Sequence, residues 1–490
     1  KTLFEIADEV GVDELMSGVD EKEVKEAGVM LWLLESDRTN PSYEDLIDYG
    51  RSYFNTTDFA AIKKQLAEKI KANDLTYVFE EIEKPLLEAL EYVNNVGFEL
   101  DVTYLKKLSQ TMHKELNGLE KKIHKLAGSE CNINSPKQVG EVLYDKLELK
   151  PKNQKRTATG QRSTRESELE KMKEDHEIIS AILRYRELQK LVSTYIDNLP
   201  GMVSKDGRLR TTFLQTGAAT GRMASQNPNL QNIPVRTEES KAIRQAFVAQ
   251  KGYEMISIDY SQIELRIAAI LSGDEKLIEI FKNNEDVHAG VASRVFGVEQ
   301  NEVTSEMRRK AKVINFGILY GMGVNALRAN LGEGTPREEA QEFLNAYFNT
   351  FTRLAEYLEE TKGFARSHGY TETMFGRKRY FPGISSSAPF IRAAAERMAI
   401  NAPVQGTAAD IMRIAMNEVY DYLKKKKLFD DIHMLLQVHD ELLFEIKKKV
   451  ADKHTKAIAK IMENVLPADK SHGVPITVSV ARGKNWGTLK

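Results

Sequence analysis

Two aspartates in similar settings, Asp259 and Asp440, are the first residues whose chemistry needs an explanation. Asp440 lies within QVHDE (437–441) between two apolar runs, and Asp259 ends the alternating stretch ISID (256–259). Two carboxylates in one site repel each other unless a cation neutralises them. Mg²⁺ is the natural ion, because it binds hard oxygen ligands and accepts a few carboxylates together with substrate phosphates. The pair therefore predicts a divalent-metal site if folding brings the two residues together.

The segments around the aspartates predict the elements that would position them. Residues 253–262 predict a strand that ends at its polar residues. The apolar runs on either side of His439 predict a β-hairpin. Taken alone, that hairpin is also explained by an ordinary polar turn. Because Asp259 and Asp440 are 181 positions apart, the metal site requires both strands to join one sheet.

One face of a predicted helix at 305–321 carries a second group of residues with possible chemistry. At about 100° per residue, Arg308, Lys312, Phe316 and Tyr320 recur every four positions. Cations at one end can hold phosphates, and rings at the other end can stack on a base. A solvated helix face with two exposed rings is the alternative. The opposite side is an apolar stripe that we expect to be buried, formed by Met307, Ala311, Ile314 and Ile318.

Length and composition exclude several classes of protein. With 490 residues and 41% hydrophobic content, the chain predicts about two to four packed units. No apolar run approaches the roughly 18 residues of a membrane span, and no leader pattern is visible, so we expect a cytoplasmic protein. The single cysteine, Cys131, excludes an internal disulfide framework and a multi-cysteine zinc site.

Charge is distributed unevenly along the chain. The net charge is only −2, but residues 1–100 hold 10 Lys and Arg against 23 Asp and Glu, whereas residues 101–490 hold 60 against 49. An acidic first segment thus masks a basic body, and such asymmetry hints at a nucleic-acid partner. Residues 149–165 contain six Lys or Arg and no acid. They predict either a solvated loop or a flexible arm along phosphates.

Five motifs, taken together and in order, resemble those of family A DNA polymerases, and most closely the large fragment of bacterial DNA polymerase I. The resemblance covers roughly residues 80–490, and five long motifs in order are more specific than any short pattern. The motifs are TGRMASQNPNLQNIPVR (220–236), DYSQIELR (259–266), RRKAKVINFGILYG (308–321), AAAERMAINAPVQGTAADI (393–411) and QVHDE (437–441).

The resemblance implies an α+β fold shaped like a right hand. The palm would be an antiparallel sheet, and the fingers and thumb would be mainly helical. The implied domains are an exonuclease-like segment (1–80), the thumb with connecting helices (81–200), the first part of the palm (201–266), the fingers (267–394) and the second part of the palm (395–490).

The resemblance also implies an activity. The chain would add deoxynucleoside triphosphates to a primer 3′ end on a DNA template, as a monomer associated with the nucleoid in DNA replication or repair. Two Mg²⁺ ions would serve the transfer, with Mn²⁺ able to substitute. A single-subunit RNA polymerase and a non-catalytic DNA-binding protein remain alternatives. Glu264 argues against the first, and the two aspartates argue against the second.

Residue roles follow from the matched motifs. Asp259, Asp440 and the backbone carbonyl of Tyr260 would hold metal, Lys312 would act as acid to the leaving group, and Glu441 would be accessory. Glu264 would exclude a ribose 2′-hydroxyl, although an ordinary helix carboxylate is the alternative. The implied nucleotide-binding residues are Arg308, Lys312, Phe316, Tyr320, Gln262, Glu264 and His288. The implied DNA-binding residues are Arg222, Arg397, Asn401, Gln405 and His439.

Residues 1–80 depart from the family pattern for proofreading. No Asp-x-Glu occurs there, and Tyr53 and Asp58 have the wrong spacing for the expected Tyr-x-x-x-Asp pair. The stretch 29–50 does look like a late piece of the family's exonuclease domain. We therefore expect residues 1–80 to be a vestigial or truncated domain without exonuclease activity.

Overall fold

The computed structural model describes most of the chain. The described residues are 18–150, 160, 162–235, 237–332 and 334–489. The start of the predicted exonuclease-like segment and most of the basic stretch 149–165 lie outside the described residues.

The chain forms two compact units. The first takes in the described part of Lys1–Val96 with Thr211–Gln231 and Ile256–Ala481, and the second comprises Gly97–Arg210, Asn232–Met255 and the described part of Arg482–Lys490. Both units are built from discontinuous segments, because the chain passes between them several times. The finer division into thumb, palm and fingers stays a prediction.

Helices make up most of the described structure. A π-helical turn at Val78–Glu83 precedes α4. The helices are α1 (Glu21–Leu34), α2 (Tyr43–Tyr53), α3 (Phe59–Ala72), α4 (Lys84–Val96), α5 (Val102–Ala127), α6 (Pro136–Gly140), α7 (Glu166–Leu169), α8 (Glu177–Leu191), α9 (Glu238–Gln245), α10 (Ile263–Ser272), α11 (Glu275–Lys282), α12 (Val287–Phe296), α13 (Ser305–Leu319), α14 (Val324–Leu331), α15 (Arg337–Thr350), α16 (Thr352–His368), α17 (Pro389–Lys426) and α18 (Lys448–Glu463).

Short polar residues fix where many of these helices begin. An Asp, Ser or Thr before the first turn accepts a hydrogen bond from a backbone N–H that has no partner inside the helix. Ser42 and Asp45 form a reciprocal capping box at α2. Other capping residues of this type are Asp20, Asp58, Asp101, Thr237, Asp274, Asp286 and Thr304.

In the part of the chain that the structure describes, strands form four small sheets. The strands are β1 (Phe98–Leu100), β2 (Arg208–Leu209), β3 (Thr212–Leu214), β4 (Ala224–Gln226), β5 (Phe247–Val248), β6 (Tyr253–Tyr260), β7 (Tyr370–Glu372), β8 (Lys378–Tyr380), β9 (Ile432–Val438), β10 (Glu441–Lys447) and β11 (Val478–Gly483). The largest sheet has the order β11-β6-β10-β9, and a three-stranded sheet in the second unit has the order β2-β1-β5. Two-stranded hairpins join β3 to β4 and β7 to β8.

The predicted α+β class is confirmed by this mixture of long helices and small antiparallel sheets. The predicted hairpin at His439 and the predicted strand ending near Asp259 are both present. Among the described residues, no helix has both the length and the apolar character needed to cross a bilayer.

A buried network of four charged residues joins distant segments of the first unit. Glu83 contacts Arg377 and Arg413, and Arg377 also donates through Nε to Asp410 at 2.7 Å. All four side chains are almost fully buried. Each carboxylate of the network thus contacts a guanidinium group, and such pairing is the condition for burying ionisable groups in a protein interior.

The surroundings of Glu83 keep its carboxylate ionised. Burial alone would raise the pKa of Glu83, but the charges of Arg413 and Arg377 outweigh burial and hold the pKa below its ordinary value. Gln215 adds a hydrogen bond from Nε2 to the Glu83 carboxylate at 2.6 Å. The indole ring of Trp32 lies against both guanidinium groups, at 5.1 and 5.3 Å from the ring centre.

We predict that Glu83→Ala strongly destabilises the protein. The change leaves Arg377 and Arg413 buried without their shared partner, and breaking a buried ion pair costs about 3–5 kcal/mol. The measurement is the free energy of unfolding in urea. Glu81→Ala, two residues away and exposed, is the matched control and should change that free energy by less than about 0.5 kcal/mol. Equal effects of the two changes would contradict a structural role for the network.

Candidate active site

The two predicted metal-binding aspartates lie at the ends of neighbouring strands. Asp259 is the penultimate residue of β6, and Asp440 immediately precedes β10, the next strand of the same sheet. The backbone N–H of Tyr260 donates to the carbonyl of Asp440 at 3.0 Å. Both aspartates are partly exposed to solvent. Folding therefore brings together two acids that are 181 positions apart in the sequence.

The turn that carries Asp440 is held in place from inside the sheet. His439 adopts a left-handed backbone conformation with φ of 52°, which is unfavourable for a residue other than glycine. The Gln437 side chain donates to the carbonyl of His439 at 2.5 Å. Gln231 in turn donates to the Gln437 side chain at 2.9 Å. These two amides hold the carbonyl of His439 within the two-residue turn between β9 and β10.

Glu441 lies beside the aspartates, with its carboxylate already engaged. Its side chain is buried and accepts a hydrogen bond from the hydroxyl of Ser257. Ser257 and Asp259 are two positions apart on β6, so they share one face of the strand. The phenol of Tyr260 is turned inward and donates to the carbonyl of Met462 at 2.8 Å. This hydrogen bond holds Tyr260 in place through its side chain.

The donor set suits Mg²⁺ but is incomplete without further ligands. It consists of two carboxylates and the carbonyl of Tyr260, all of which are hard oxygen donors. Within the described ranges, no group of three or more His, Cys, Asp or Glu residues is arranged to hold a metal ion. Mg²⁺ keeps several waters and takes substrate phosphates as ligands, so a site with few protein ligands fits it.

Helix α13 presents the predicted face of cations and rings to solvent. Arg308, Lys312, Phe316 and Tyr320 are all exposed, with 41% exposure for Phe316 and 44% for Tyr320. Helix α13 ends at Leu319, so Tyr320 is its C-terminal cap residue. The apolar stripe on the other side is buried at Ala311, Ile314 and Ile318, while Met307 is only partly buried.

The first cation on α13 already has an anionic partner. Arg308 donates to both oxygens of Asp286, at 3.2 and 2.7 Å, in a two-pronged ion pair. Burial would raise the pKa of Asp286, but the hydrogen bonds from Arg308 and the N–H of Ala289, together with the charge of Arg308, hold the pKa below its ordinary value. Asp286 also caps α12 by accepting from the N–H of Ala289 at 2.8 Å.

The imidazole ring of His288 lies next to the ring of Phe316. The two ring centres are 5.7 Å apart. The Nδ1 atom of His288 lies 3.1 Å from the side-chain nitrogen of Asn315, which is fully buried. Burial lowers the pKa of His288, and the positive charges of Arg308 and Lys312 act in the same direction. The imidazole is therefore neutral near pH 7.

Glu264 is held by two other predicted site residues. Arg222 donates to one carboxylate oxygen at 2.7 Å, and the hydroxyl of Tyr320 donates to the other at 3.0 Å. Burial and the charge of Glu264 raise the pKa of Tyr320 to about 12, so the phenol remains a donor at neutral pH. Gln262, two residues earlier, is exposed and has a φ of 54° at the start of α10.

The remaining predicted DNA-binding residues follow one face of α17. Arg397, Asn401 and Gln405 are spaced by four positions, so they lie above one another on the helix. Arg397 is exposed, whereas the other two are nearly buried and joined by a hydrogen bond of 3.2 Å. The side chain of Arg397 packs close to Gly321, immediately after Tyr320.

Three residues of this region were missed by the sequence analysis: Ser257, Asp286 and Asn315. Ser257 could have been found from its period-two relation to Asp259, and Asp286 from its helix-capping position. Asn315 gave no usable signal, because a polar residue beside an apolar stripe is ordinary. Asn315 matters because its side chain contacts His288, which is 27 residues away in the sequence.

Comparison with known families identifies what the chain is similar to. Residues 102–488 match the sequence profile of DNA polymerase family A. The chain is 42% identical over 473 residues to a thermostable DNA polymerase I of Thermus aquaticus, covering 94% of this chain and 55% of that protein. It is 45% identical over 416 residues to DNA polymerase I of Deinococcus radiodurans, covering 84% of this chain and 42% of that protein.

A solved structure gives the same result for the fold. The polymerase domain of Pol1 from M. smegmatis, determined in complex with a DNA primer-template and dNTP, superposes with a TM-score of 0.87 at 36% identity. The match covers 94% of this chain and 82% of that chain. The chain spans about half the length of the curated relatives it matches.

We predict that Asp259 and Asp440 bind a divalent cation together. In a titration with Mn²⁺ followed by electron paramagnetic resonance, Asp259→Asn and Asp440→Asn should each weaken binding by at least about tenfold, since even an indirect partner of a metal ligand commonly contributes that much. Asp469→Asn, at an exposed position of the same unit, should leave binding unchanged. Unaltered affinity in both site variants would exclude a shared ion.

Proposed function

The chain belongs to DNA polymerase family A, and from that premise we propose that it is a DNA-directed DNA polymerase. It adds deoxynucleoside triphosphates to a primer 3′ end on a DNA template and releases pyrophosphate. The observation that carries the proposal is the hydrogen bond from the N–H of Tyr260 to the carbonyl of Asp440. It aligns Asp259 and Asp440 at one edge of a sheet, which is the condition that the sequence could not guarantee.

Asp259, Asp440 and the carbonyl of Tyr260 would hold the catalytic Mg²⁺ ions. Bound there, the ions would lower the pKa of the primer 3′-hydroxyl and neutralise charge on the triphosphate. Ser257 keeps the neighbouring carboxylate of Glu441 turned into the sheet. Glu441 therefore supports the position of the strand ends and is accessory to metal binding.

The cations on α13 would receive the triphosphate. Arg308 is paired with Asp286, so an incoming phosphate would compete with that carboxylate for the guanidinium group. Lys312 lies one helical turn further along the same exposed face. It would bind the phosphates and donate a proton to the departing pyrophosphate, because it is the charged donor between the phosphate end and the ring end.

The ring end of α13 would receive the sugar and base. Phe316 offers an exposed ring backed by the neutral imidazole of His288. Tyr320 and Arg222 both hold Glu264, which fixes the carboxylate where a ribose 2′-hydroxyl would meet it. Gln262 caps the start of α10, two residues before Glu264, and would border the nucleotide from there. Rigid placement of Glu264 is what would discriminate deoxyribose from ribose.

The primer and template would lie along α17 and the hairpin turn. Arg222, Arg397 and Gln405 carry hydrogen-bond donors that would contact acceptors in the minor groove. Such acceptors occur in every base pair, so these contacts can test pair shape without reading sequence. His439 is exposed at the turn beside Asp440 and would approach the primer end. Asn401 supports Gln405 through their hydrogen bond.

We predict that the wild-type chain extends a primer with Mg²⁺ and four deoxynucleotides. Asp259→Asn and Asp440→Asn should each lower the rate by at least about 100-fold, since metal ions contribute several kcal/mol to such reactions. Binding of primer-template DNA, measured by fluorescence anisotropy, should change by less than about threefold, because the bulk of the affinity comes from phosphate contacts elsewhere.

The same assay separates the alternatives. A preference for ribonucleotides would favour an RNA polymerase, and DNA binding without any extension would favour a non-catalytic DNA-binding protein. Asp469→Asn again serves as the control, because it changes the same chemical group at an exposed position. Extension that survives both aspartate substitutions would contradict the proposed site.

The proposed activity does not include proofreading. A 5′-labelled primer with a mismatched 3′ end should keep its length when Mg²⁺ is present without nucleotides, because residues 1–80 lack the Asp-x-Glu pattern that would hold exonuclease metals. The length of the primer on a sequencing gel is the measurement, and a sample with chelator is the control. Metal-dependent shortening would show that an exonuclease is present.

A further inference from the structure

We propose that Arg413 is a positioning residue for sugar discrimination, through which the buried charge network controls the placement of Glu264. The inference rests on the proposed function, since it concerns how the polymerase would select deoxynucleotides. Through Arg413, the segment around Trp32 and Glu83 would take part in substrate choice, although it contains no predicted catalytic residue.

Arg413 binds three separate parts of the first unit at once. Its Nη1 contacts the carboxylate of Glu83, its Nη2 donates to the carbonyl of Gln215 at 2.7 Å, and its Nε donates to the carbonyl of Gly221 at 2.9 Å. The side chain is only 1% exposed. A planar group with fixed donors can satisfy three acceptors that lie in different directions.

Gly221 connects the network to the candidate site, because it accepts a hydrogen bond from Arg413 and immediately precedes Arg222. It has a φ of 84°, a conformation that side chains disfavour. A Cβ atom there would lie 3.2 Å from the Cδ of Arg377, so the network also packs against the Cα of this residue. Because Gly221 is intrinsically free to rotate, the bond from Arg413 to its carbonyl fixes the peptide that joins it to Arg222.

Arg222 then transmits this constraint to Glu264. Its guanidinium group donates to the carboxylate of Glu264 at 2.7 Å and is about one-third exposed. The opposite oxygen of that carboxylate accepts from Tyr320. If the peptide before Arg222 loosens, the ion pair becomes less well oriented, and Glu264 gains freedom to move away from an incoming 2′-hydroxyl.

Residues from the early part of the first unit also hold the guanidinium group of Arg413. Besides the carbonyl of Gly221, the guanidinium group of Arg413 contacts Glu83 and the ring of Trp32. Arg377 is held in the same way by Glu83 and Asp410. The network is therefore a rigid support on which the segment containing Gly221 and Arg222 rests.

The test is Arg413→Lys. Lysine keeps the positive charge next to Glu83 but, as a single ammonium group, cannot also reach the carbonyls of Gln215 and Gly221. We expect kcat/KM for a ribonucleotide relative to the matched deoxynucleotide to rise about fivefold, the ratio that corresponds to one net hydrogen bond. An unchanged ratio would overturn the inference.

Arg244→Lys is the matched control. Arg244 is also buried, donates to a backbone carbonyl, that of Ile233, at 2.7 Å and covers a tryptophan ring, that of Trp486, at 4.1 Å. It lies in the second unit. A general loss of packing would alter the sugar ratio in both variants, whereas the inference expects a change in the Arg413 variant alone.

A double-mutant cycle tests whether Arg413 acts through Glu264. A Glu264→Ala variant lacks the carboxylate that would exclude the 2′-hydroxyl. Adding Arg413→Lys to it should leave the ratio of kcat/KM for ribonucleotide over deoxynucleotide unchanged. An additive effect of the two substitutions would overturn the inference, because it would mean that Arg413 acts elsewhere.

A second variant covers the case in which Arg413→Lys does not fold. Gly221→Ala leaves every charge in place but strains the peptide before Arg222 and presses on Arg377. It should raise the ribonucleotide ratio in the same direction, and an unchanged ratio would count against the inference. Failure of the wild type to extend primers would instead reject the proposed function, so the two failures are distinguishable.

Discussion

The placement of Glu83 between Arg377 and Arg413 is the constraint on which the rest of the first unit depends. Ions that are removed from water are costly unless each finds a partner of opposite charge. Here that requirement ties together the turn before α4, the hairpin of β7 and β8, and the middle of α17. No single one of these segments could bury its charge alone. The network therefore favours the arrangement of the chain that brings these segments together.

The candidate site is built outward from that support. Arg413 holds the segment that carries Arg222, and Arg222 holds Glu264. On the other side, the end of β6 is fixed to the hairpin turn by a backbone hydrogen bond. Several functional groups are thus paired with other protein groups before any substrate arrives. Substrate binding would exchange the partner of Arg308 but leave the carboxylate of Glu264 where the protein has placed it.

Much of the fold and the site could be predicted from local sequence. The alternation before Asp259 and the apolar runs around His439 predict their strands, and the four-residue spacing from Arg308 to Tyr320 predicts the exposed face of α13. Other features escaped prediction. Asp286, Asn315 and Ser257 matter because of partners that lie far away in the sequence, and the network around Glu83 joins residues up to 330 positions apart. Local periodicity contains no information about such pairs.

The sequence by itself determined which side chains with metal-binding, phosphate-binding and ring-stacking chemistry are available, and on which face of each element they lie. It also determined the family, because five ordered motifs leave little freedom. Only the tertiary structure decided that Asp259 and Asp440 lie at adjacent strand ends and that Arg308 pairs with Asp286. It also decided that the carboxylate of Glu264 accepts hydrogen bonds from both Arg222 and Tyr320. The physical reason is that these contacts depend on how elements pack in three dimensions. Packing is set by burial and charge balance over the whole unit, and no stretch of sequence contains that balance alone.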